Sequence, residues 1–317
     1  MPAAARRVGA VAGAGRSLPD VALTRMAIDR RSELRDPDLL PRLLGDDATR
    51  VFRLHGTATP VHETADGGVR LVLDAPEPGD VERLAVYLGE AGGRAHVGVV
   101  HLAREEQAPD ERTLREAGAL LDDLGASLFA TTLALANWHR THGHCPRCGA
   151  RTVAAHAGWV RSCPEDGSDH YPRTDMAVIM AVVDDADRIL LARNRAFRGR
   201  GMSVLAGFVE PGETLSAAVE REVGEEVGIG VTDVTYLGDQ PWPFPASLML
   251  GFRARALGTD LRLQEDEIAA ARWFTRDELV AAVAEESVVV PGRVSIARRL
   301  IEHWFGGPLD APEIPLR

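Results

Sequence analysis

Lysine is absent: all 36 basic residues in this chain of 317 are arginines. No lysine amine can therefore serve as phosphate ligand, general base or Schiff base, and any cationic role in a site falls to arginine. Carboxylates outnumber the arginines by 47 to 36, giving a formal net charge of −11. That balance excludes a broad basic surface for coating nucleic acid, DNA included. Long apolar runs are also missing. The longest, around Met176–Val183, has strand length and falls far short of the roughly 18 residues that span a bilayer, so no membrane role is expected. Residues 1–19 scatter arginines among alanine and glycine without a continuous apolar stretch. The expectation is a frayed tail, no secretory signal and a cytoplasmic location. Cysteine is scarce as well. All three lie between Cys145 and Cys163, an odd count unsuited to a disulfide framework, and their clustering suggests metal.

What is present reads as a soluble globular chain of two or three modules, 45% hydrophobic. Strand patterns occur at Arg50–Leu54, Val69–Leu73 and Ala95–Leu102, and Glu111–His139 carries Leu114, Ala117, Leu121 and Leu124 at helical spacing. Beyond the cysteines, Met176–Val183 and Arg188–Arg193 form an expected hairpin, and Ser203–Phe208 is a third apolar run. A helix at Leu215–Val227 is stopped by Gly228. Strands at Leu248–Ala256 and Ala271–Phe274 and helices at Arg276–Glu285 and Ser295–Phe305 follow. Mixed strands and helices predict an α/β (α+β) sandwich.

The segment from Gly207 to Ile229 carries the chemistry. At about 100° per residue, Glu222, Glu225 and Glu226 share one helical face. Leu215, Ala218, Val219, Val223 and Val227 form the opposing apolar stripe. One face is thus fixed in a core while the other offers hard oxygen ligands suited to Mg²⁺ or Mn²⁺. A solvated acidic face is the ordinary explanation for Glu225–Glu226 alone. The whole segment, however, resembles the Nudix box, G-x5-E-x7-R-E-U-x-E-E-x-G-U with U aliphatic, at nine positions within 23 residues. That resemblance implies metal-dependent hydrolysis of a nucleoside diphosphate linkage. It makes Glu222, Glu225 and Glu226 the catalytic, metal-holding carboxylates, and it assigns Gly207, Glu213, Arg221 and Gly228 to the scaffold, Glu213 and Arg221 as an ion pair bracing the loop.

Eleven residues after the box comes Gln240-Pro241-Trp242-Pro243-Phe244-Pro245-Ala246-Ser247. Three prolines alternating with two aromatics make a stiff segment with flat faces for stacking, or simply a loop that closes the core. It is similar to the SQPWPFPxS signature of NADH pyrophosphatases, also known as NAD-capped RNA hydrolases, departing only in Asp239 for the leading serine. The resemblance implies hydrolysis of NAD(H) to AMP and nicotinamide mononucleotide, and removal of the NAD cap from RNA 5′ ends. It also implies a homodimer. Residues 240–247 would hold the dinucleotide, with Tyr171 and Phe208 as aromatic partners and with Ala297 and Arg115 as further contacts. Ala206 and Glu267 would complete the Mg²⁺ or Mn²⁺ site.

Cys145-Pro-Arg-Cys148-Gly reads as a zinc knuckle, with Cys163 as third thiolate. The family ribbon has a second C-x2-C pair ahead of a stretch like Tyr171-Pro172-Arg173. Here Asp166 stands where the fourth cysteine would be. Asp166 is the expected fourth ligand, with Glu165, His170 and His144 as alternatives, and a ribbon that has lost its metal as the plain one. The division expected is an N-terminal α+β domain (1–140), a zinc ribbon (141–174) and a Nudix α/β/α sandwich (175–317). Arg193, Arg195, Arg198 and Arg200 could guide RNA or merely decorate a loop. Rival readings are another Nudix specificity, such as ADP-ribose, or a nucleotide sensor that does not cut.

Overall fold

The computed structural model describes residues 17–101, 107–195 and 199–311, and all structural statements concern these. The N-terminal part contains α1 (Leu39–Leu44), β1 (Arg50–His55), β2 (Ala58–Glu63), β3 (Val69–Leu71), β4 (Leu73–Asp74), β5 (Leu84–Ala91), β6 (Arg94–His101), β7 (Glu111–Thr113), α2 (Leu114–Ala117) and α3 (Asp123–Thr141). Its sheet runs β3-β2-β1-β6-β5, with β4 on β1 and β7 on β2. Alternation along the strands sends Phe52, Leu54, Val86 and Leu88 toward α3, where Leu128, Phe129 and Leu133 meet them. Val51, Val97 and Val99 point the other way and are covered by α1.

The single helix expected over Glu111–His139 is a short strand, one helical turn and then α3. Asp122 causes the restart. Its carboxylate accepts from Gly125 N at 2.7 Å and caps α3. Residues 1–16 of the expected frayed tail lie outside the described residues; at its end the expectation fails, because Leu18 is buried and its N–H donates to Leu237 O at 2.8 Å. Leu18 and Val21 sit in the core of the C-terminal sheet, while Ala22 and Leu23 sit in the N-terminal core.

A three-stranded sheet of β8 (Val153–Ala155), β9 (Val160–Ser162) and β10 (Asp169–His170) follows α3. The C-terminal part holds β11 (Asp175–Val183), β12 (Ile189–Asn194), β13 (Leu205–Phe208), α4 (Leu215–Val227), β14 (Val231–Trp242), β15 (Ser247–Ala256), β16 (Ile268–Phe274), α5 (Arg276–Ala284) and α6 (Ile296–Phe305). The sheet order is β14-β15-β11-β12-β16, with β13 on β11. Strand β11 is parallel to β15 and buried on both faces. Val178, Met180 and Val182 pack with Val219 and Val223 of α4. Ile179, Ala181 and Val183 pack with Leu279 of α5 and Leu300 of α6. Helices on both faces of one sheet give the α/β/α sandwich.

Candidate active site and zinc ribbon

Helix α4 forms because Thr214 caps it, accepting from Ala217 N, and because Gly228 closes it in the left-handed region at φ 73°. Its apolar stripe is buried as the spacing predicts, with Leu215 partly so. This fixes the opposite face toward Gly207 at the end of β13. Glu222 lies so close to that glycine that a Cβ there would fall 1.9 Å from Cδ of Glu222. The carboxylate occupies space only a glycine leaves open.

Glu226 is 5% exposed, and its Oε2 has no hydrogen-bond partner. Burial first, and then the negative charges of Glu222, Glu267 and Glu225, push its carboxyl up to about 8. Burial raises Glu222 as well, despite Arg221 beside it. The structure thus gathers Glu222, Glu225, Glu226 and Glu267 into one electrostatic cluster, although Glu267 lies outside the box. Arg221 donates to Glu213 at 2.8 and 2.9 Å, to Glu222 at 2.9 Å, to Glu225 at 3.0 Å and to Phe208 O at 2.9 Å. Its guanidinium is held charged, chiefly by Glu213, and Arg221 in turn holds the Glu213 carboxyl below its ordinary value.

The proline-aromatic segment closes the turn between β14 and β15, with Trp242 paired to Ser247. Ser247 pairs in turn with Asp175, and Ala177 with Phe208. The segment therefore sits at the same end of the sheet as Gly207 and the carboxylates. Gln240 is fully buried and donates to Val294 O at 2.7 Å, just ahead of α6, leaving its Oε1 unpartnered. Pro241 pairs with Leu248, Pro243 is buried, Pro245 is exposed and follows a cis bond, and Ala246 O accepts from Asp175 N. Trp242 and Phe244 meet edge-on at 4.8 Å and lean on the N-terminal core. Arg115 of α2 covers them, 5.1 Å from the Trp242 ring and 4.0 Å from Phe244. Asn137 of α3, which the sequence did not single out, donates to Pro243 O at 3.0 Å and to Pro245 O at 3.1 Å.

Phe208 and Tyr171 expose 61% and 69% of their surface. Ala206 pairs with Ile179 on β13. Ala297 is buried in the first turn of α6, its N–H on the Ser295 hydroxyl. Arg193, Arg195 and Arg200 turn back onto the carbonyls of Gly199, Glu265 and Glu286. Arg198 lies outside the described residues.

In the ribbon, one donor atom each from Cys145, Cys148, Cys163 and Asp166 lie within 4.8 Å of one another. The Ser168 hydroxyl and N–H hold the Asp166 carboxyl ionised, well below its usual range. His170, one of the alternatives, bonds Ser168 at 3.2 Å instead. The ribbon is tied to its surroundings through His139, whose Nε2 donates to Gly158 O at 2.8 Å while Nδ1 accepts from Arg161 at 2.8 Å.

Residues 173–292 match the NUDIX domain model, and 140–171 match that of the NADH pyrophosphatase zinc ribbon domain. The NAD-capped RNA hydrolase NudC of Mycobacterium bovis is 41% identical over 310 residues, covering 91% of this chain and 95% of that protein. The chain belongs to the NAD-capped RNA hydrolase family of Nudix enzymes. The corresponding protein of Mycobacterium tuberculosis is 40% identical over the same shares. Human NAD-capped RNA hydrolase NUDT12 is 39% identical over 197 residues, covering 58% of this chain and 43% of that one. A solved Nudix hydrolase from Nitrosomonas europaea covers 52% of this chain and 94% of its own at 21% identity, with a TM-score of 0.39.

Both metal requirements of this Nudix family suit the residues present. The α4 cluster supplies only hard oxygen donors, and the orphaned Oε2 of Glu226 is a buried acceptor that a divalent cation would satisfy. Three thiolates and one carboxylate within 4.8 Å form a closed donor set for structural zinc.

Proposed function

We propose that this Nudix enzyme hydrolyses the diphosphate of NAD(H) to AMP and nicotinamide mononucleotide and removes NAD caps from RNA 5′ ends. The observation that carries this reading is 41% identity, over nearly the whole chain, to a relative named NAD-capped RNA hydrolase. Supporting it, the segment 240–247 sits at the sheet end that bears Gly207 and the carboxylate cluster.

Glu222, Glu225, Glu226 and Glu267, with the Ala206 carbonyl, would hold Mg²⁺ or Mn²⁺. Such ions supply charge neutralisation for the diphosphate and lower the pKa of water. The residues do the rest. Glu226, whose proton leaves only near pH 8 in the bare cluster, accepts a proton once ionised. Arg221 and Glu213 hold the Gly207–Gly212 loop, whose backbone can approach phosphate oxygens. Arg115, Trp242 and Phe244 form a cationic and aromatic wall for the dinucleotide rings. Phe208 and Tyr171 offer further ring faces. Gln240 braces the wall from below, and the backbone beside Ala297 is reached through Val294. Cys145, Cys148, Cys163 and Asp166 hold zinc structurally, since four protein donors leave no open position.

The homodimer and the cytoplasmic location that the resemblance implies belong to the same reading. No described helix is long and apolar enough to cross a membrane.

The test is to incubate wild type and Glu226→Gln with NADH, ADP-ribose and NAD-capped RNA in Mg²⁺ or Mn²⁺ and to identify products. Expected are AMP with reduced nicotinamide mononucleotide, and 5′-monophosphate RNA, from wild type only. Cleavage of ADP-ribose alone would move the assignment to another Nudix specificity.

A further inference from the structure

The last turn of α3 sends its side chains three ways. Trp138 enters the N-terminal core. His139 meets Gly158 and Arg161 of the ribbon at 2.8 Å each. Asn137 and Arg140, three residues apart and so on one helical face, share the side turned to the proline-aromatic segment.

Asparagine is a poor helix former, because its amide competes with the backbone for hydrogen bonds. Local sequence therefore gives no reason for a buried one here. The reason is tertiary. Asn137 is 8% exposed, and its amide is occupied at both ends. Its Nδ2 donates to Pro243 O at 3.0 Å and to Pro245 O at 3.1 Å, while its Oδ1 accepts from Arg140 Nη2 at 3.2 Å. The two carbonyls flank Phe244, the ring that Arg115 covers at 4.0 Å and that meets Trp242 edge-on. Asn137 thus clamps the backbone on both sides of one ring of the wall. From Pro243 to Pro245 the segment has no spare donor of its own to do this. The prolines carry no N–H, and that of Phe244 is already given to Trp242 O at 2.7 Å.

Arg140 completes the arrangement. Its side chain is exposed, and among the described residues its guanidinium has no partner other than Asn137. A charged donor on Oδ1 has three effects. It satisfies a carbonyl oxygen in a residue nearly closed to water, where an unpartnered acceptor is costly. It polarises the amide, which strengthens the two bonds that Nδ2 gives. It also fixes which way the amide points. Rotated by half a turn, Oδ1 would face two carbonyl oxygens, acceptor against acceptor, and Nδ2 would face a guanidinium that can only donate.

We propose that Arg140 is a positioning residue for dinucleotide binding, holding the backbone on either side of Phe244 through the Asn137 amide and so setting the ring face offered to NAD(H). The proposal rests on the reading of that segment as the wall for NAD(H). Its test is a double-mutant cycle on the full chain, with steady-state cleavage of NADH in Mg²⁺ by wild type, Arg140→Met, Asn137→Ala and the pair. Methionine keeps much of the length of the side chain and drops its donors. Two changes that act through one contact are not additive. KM for NADH is expected to rise about fivefold in Arg140→Met and about tenfold in Asn137→Ala, the scale of one and two lost hydrogen bonds. In the pair it should stay at about tenfold. In all three kcat should change far less, and circular dichroism and zinc content should match wild type. Arg140→Lys, which keeps a charged donor, is expected to recover most of the loss. An unchanged KM in Arg140→Met would overturn the proposal. So would a rise in the pair near the product of the two, about fiftyfold, since Arg140 would then meet the substrate without Asn137. A fall in kcat as large as the rise in KM would overturn it too. Should wild type cleave ADP-ribose and leave NADH intact, the NAD(H) reading fails instead, and the same cycle on KM for ADP-ribose decides the positioning role.

Discussion

A methyl group added at Gly207 would stand 1.9 Å from the Glu222 carboxyl carbon and 2.0 to 2.1 Å from its oxygens. Gly207→Ala must therefore push that carboxylate aside. A displacement of about 1 Å at a reacting centre costs on the order of 100-fold in rate, so kcat for NADH should fall at least that far with the fold intact by circular dichroism. Glu226 gives a second, pH-dependent expectation. Its folded pKa of about 8 stands above an unfolded value of about 4.3. The contribution to stability is complete below the unfolded value and is lost as pH rises through the folded one. With chelator present, the melting temperature should fall between pH 5.5 and 8.5. Glu226→Gln should flatten that dependence, and Mg²⁺ should reverse it. The box carboxylates were legible because the motif is local, with ligand face and packing stripe interleaved on one helix. The same holds for the Cys145, Cys148, Cys163 and Asp166 set. Asn137 was not legible, since it gains its part from Pro243 and Pro245, brought close only by the fold.

Helix α3 does unusual duty among the elements. One turn of it grips the aromatic wall through Asn137 and the ribbon through His139. Asn137→Ala would leave the carbonyls of Pro243 and Pro245 without their donor, at a cost of about 1–3 kcal/mol. A lower melting temperature and a KM for NADH raised about tenfold are expected, with kcat changed far less, because the carboxylate cluster is untouched. The helices of the C-terminal sheet were readable to within a residue, capped by Thr214, Thr275 and Ser295. Strand β14 was not. Its final stretch contains Pro241, which cannot donate to a ladder and argues against a strand, yet it pairs with Leu248 at the turn end. The break between α2 and α3 was missed for a related reason. Leu114, Ala117 and Leu121 keep helical spacing and are all buried, so periodicity alone could not reveal that Asp122 starts a new helix.

For the molecule as a whole, the ribbon joins regions that the sequence read separately. Stripping zinc with a strong chelator, or changing Asp166→Ala, should lower the zinc content measured by mass spectrometry from one per chain and lower the melting temperature. Asp166→Cys, which restores a fourth thiolate, should retain zinc at chelator concentrations that empty the wild type. The α/β/α architecture was legible from the order of apolar segments. How the parts lean on one another was not, because Trp242 and Phe244 rest on the N-terminal core and no local pattern announces that. The strap from Leu18 to Leu23 has a consequence for how the chain acquires its shape. Its first half completes a core whose strands begin at β11, and Leu18 bonds to Leu237. During synthesis those early residues must wait, their apolar surface uncovered, until most of the polypeptide has left the ribosome. Contacts so distant along the chain are slow to form, so the final sealing of the catalytic core is expected to be a late event and the stage most open to rescue by a chaperone.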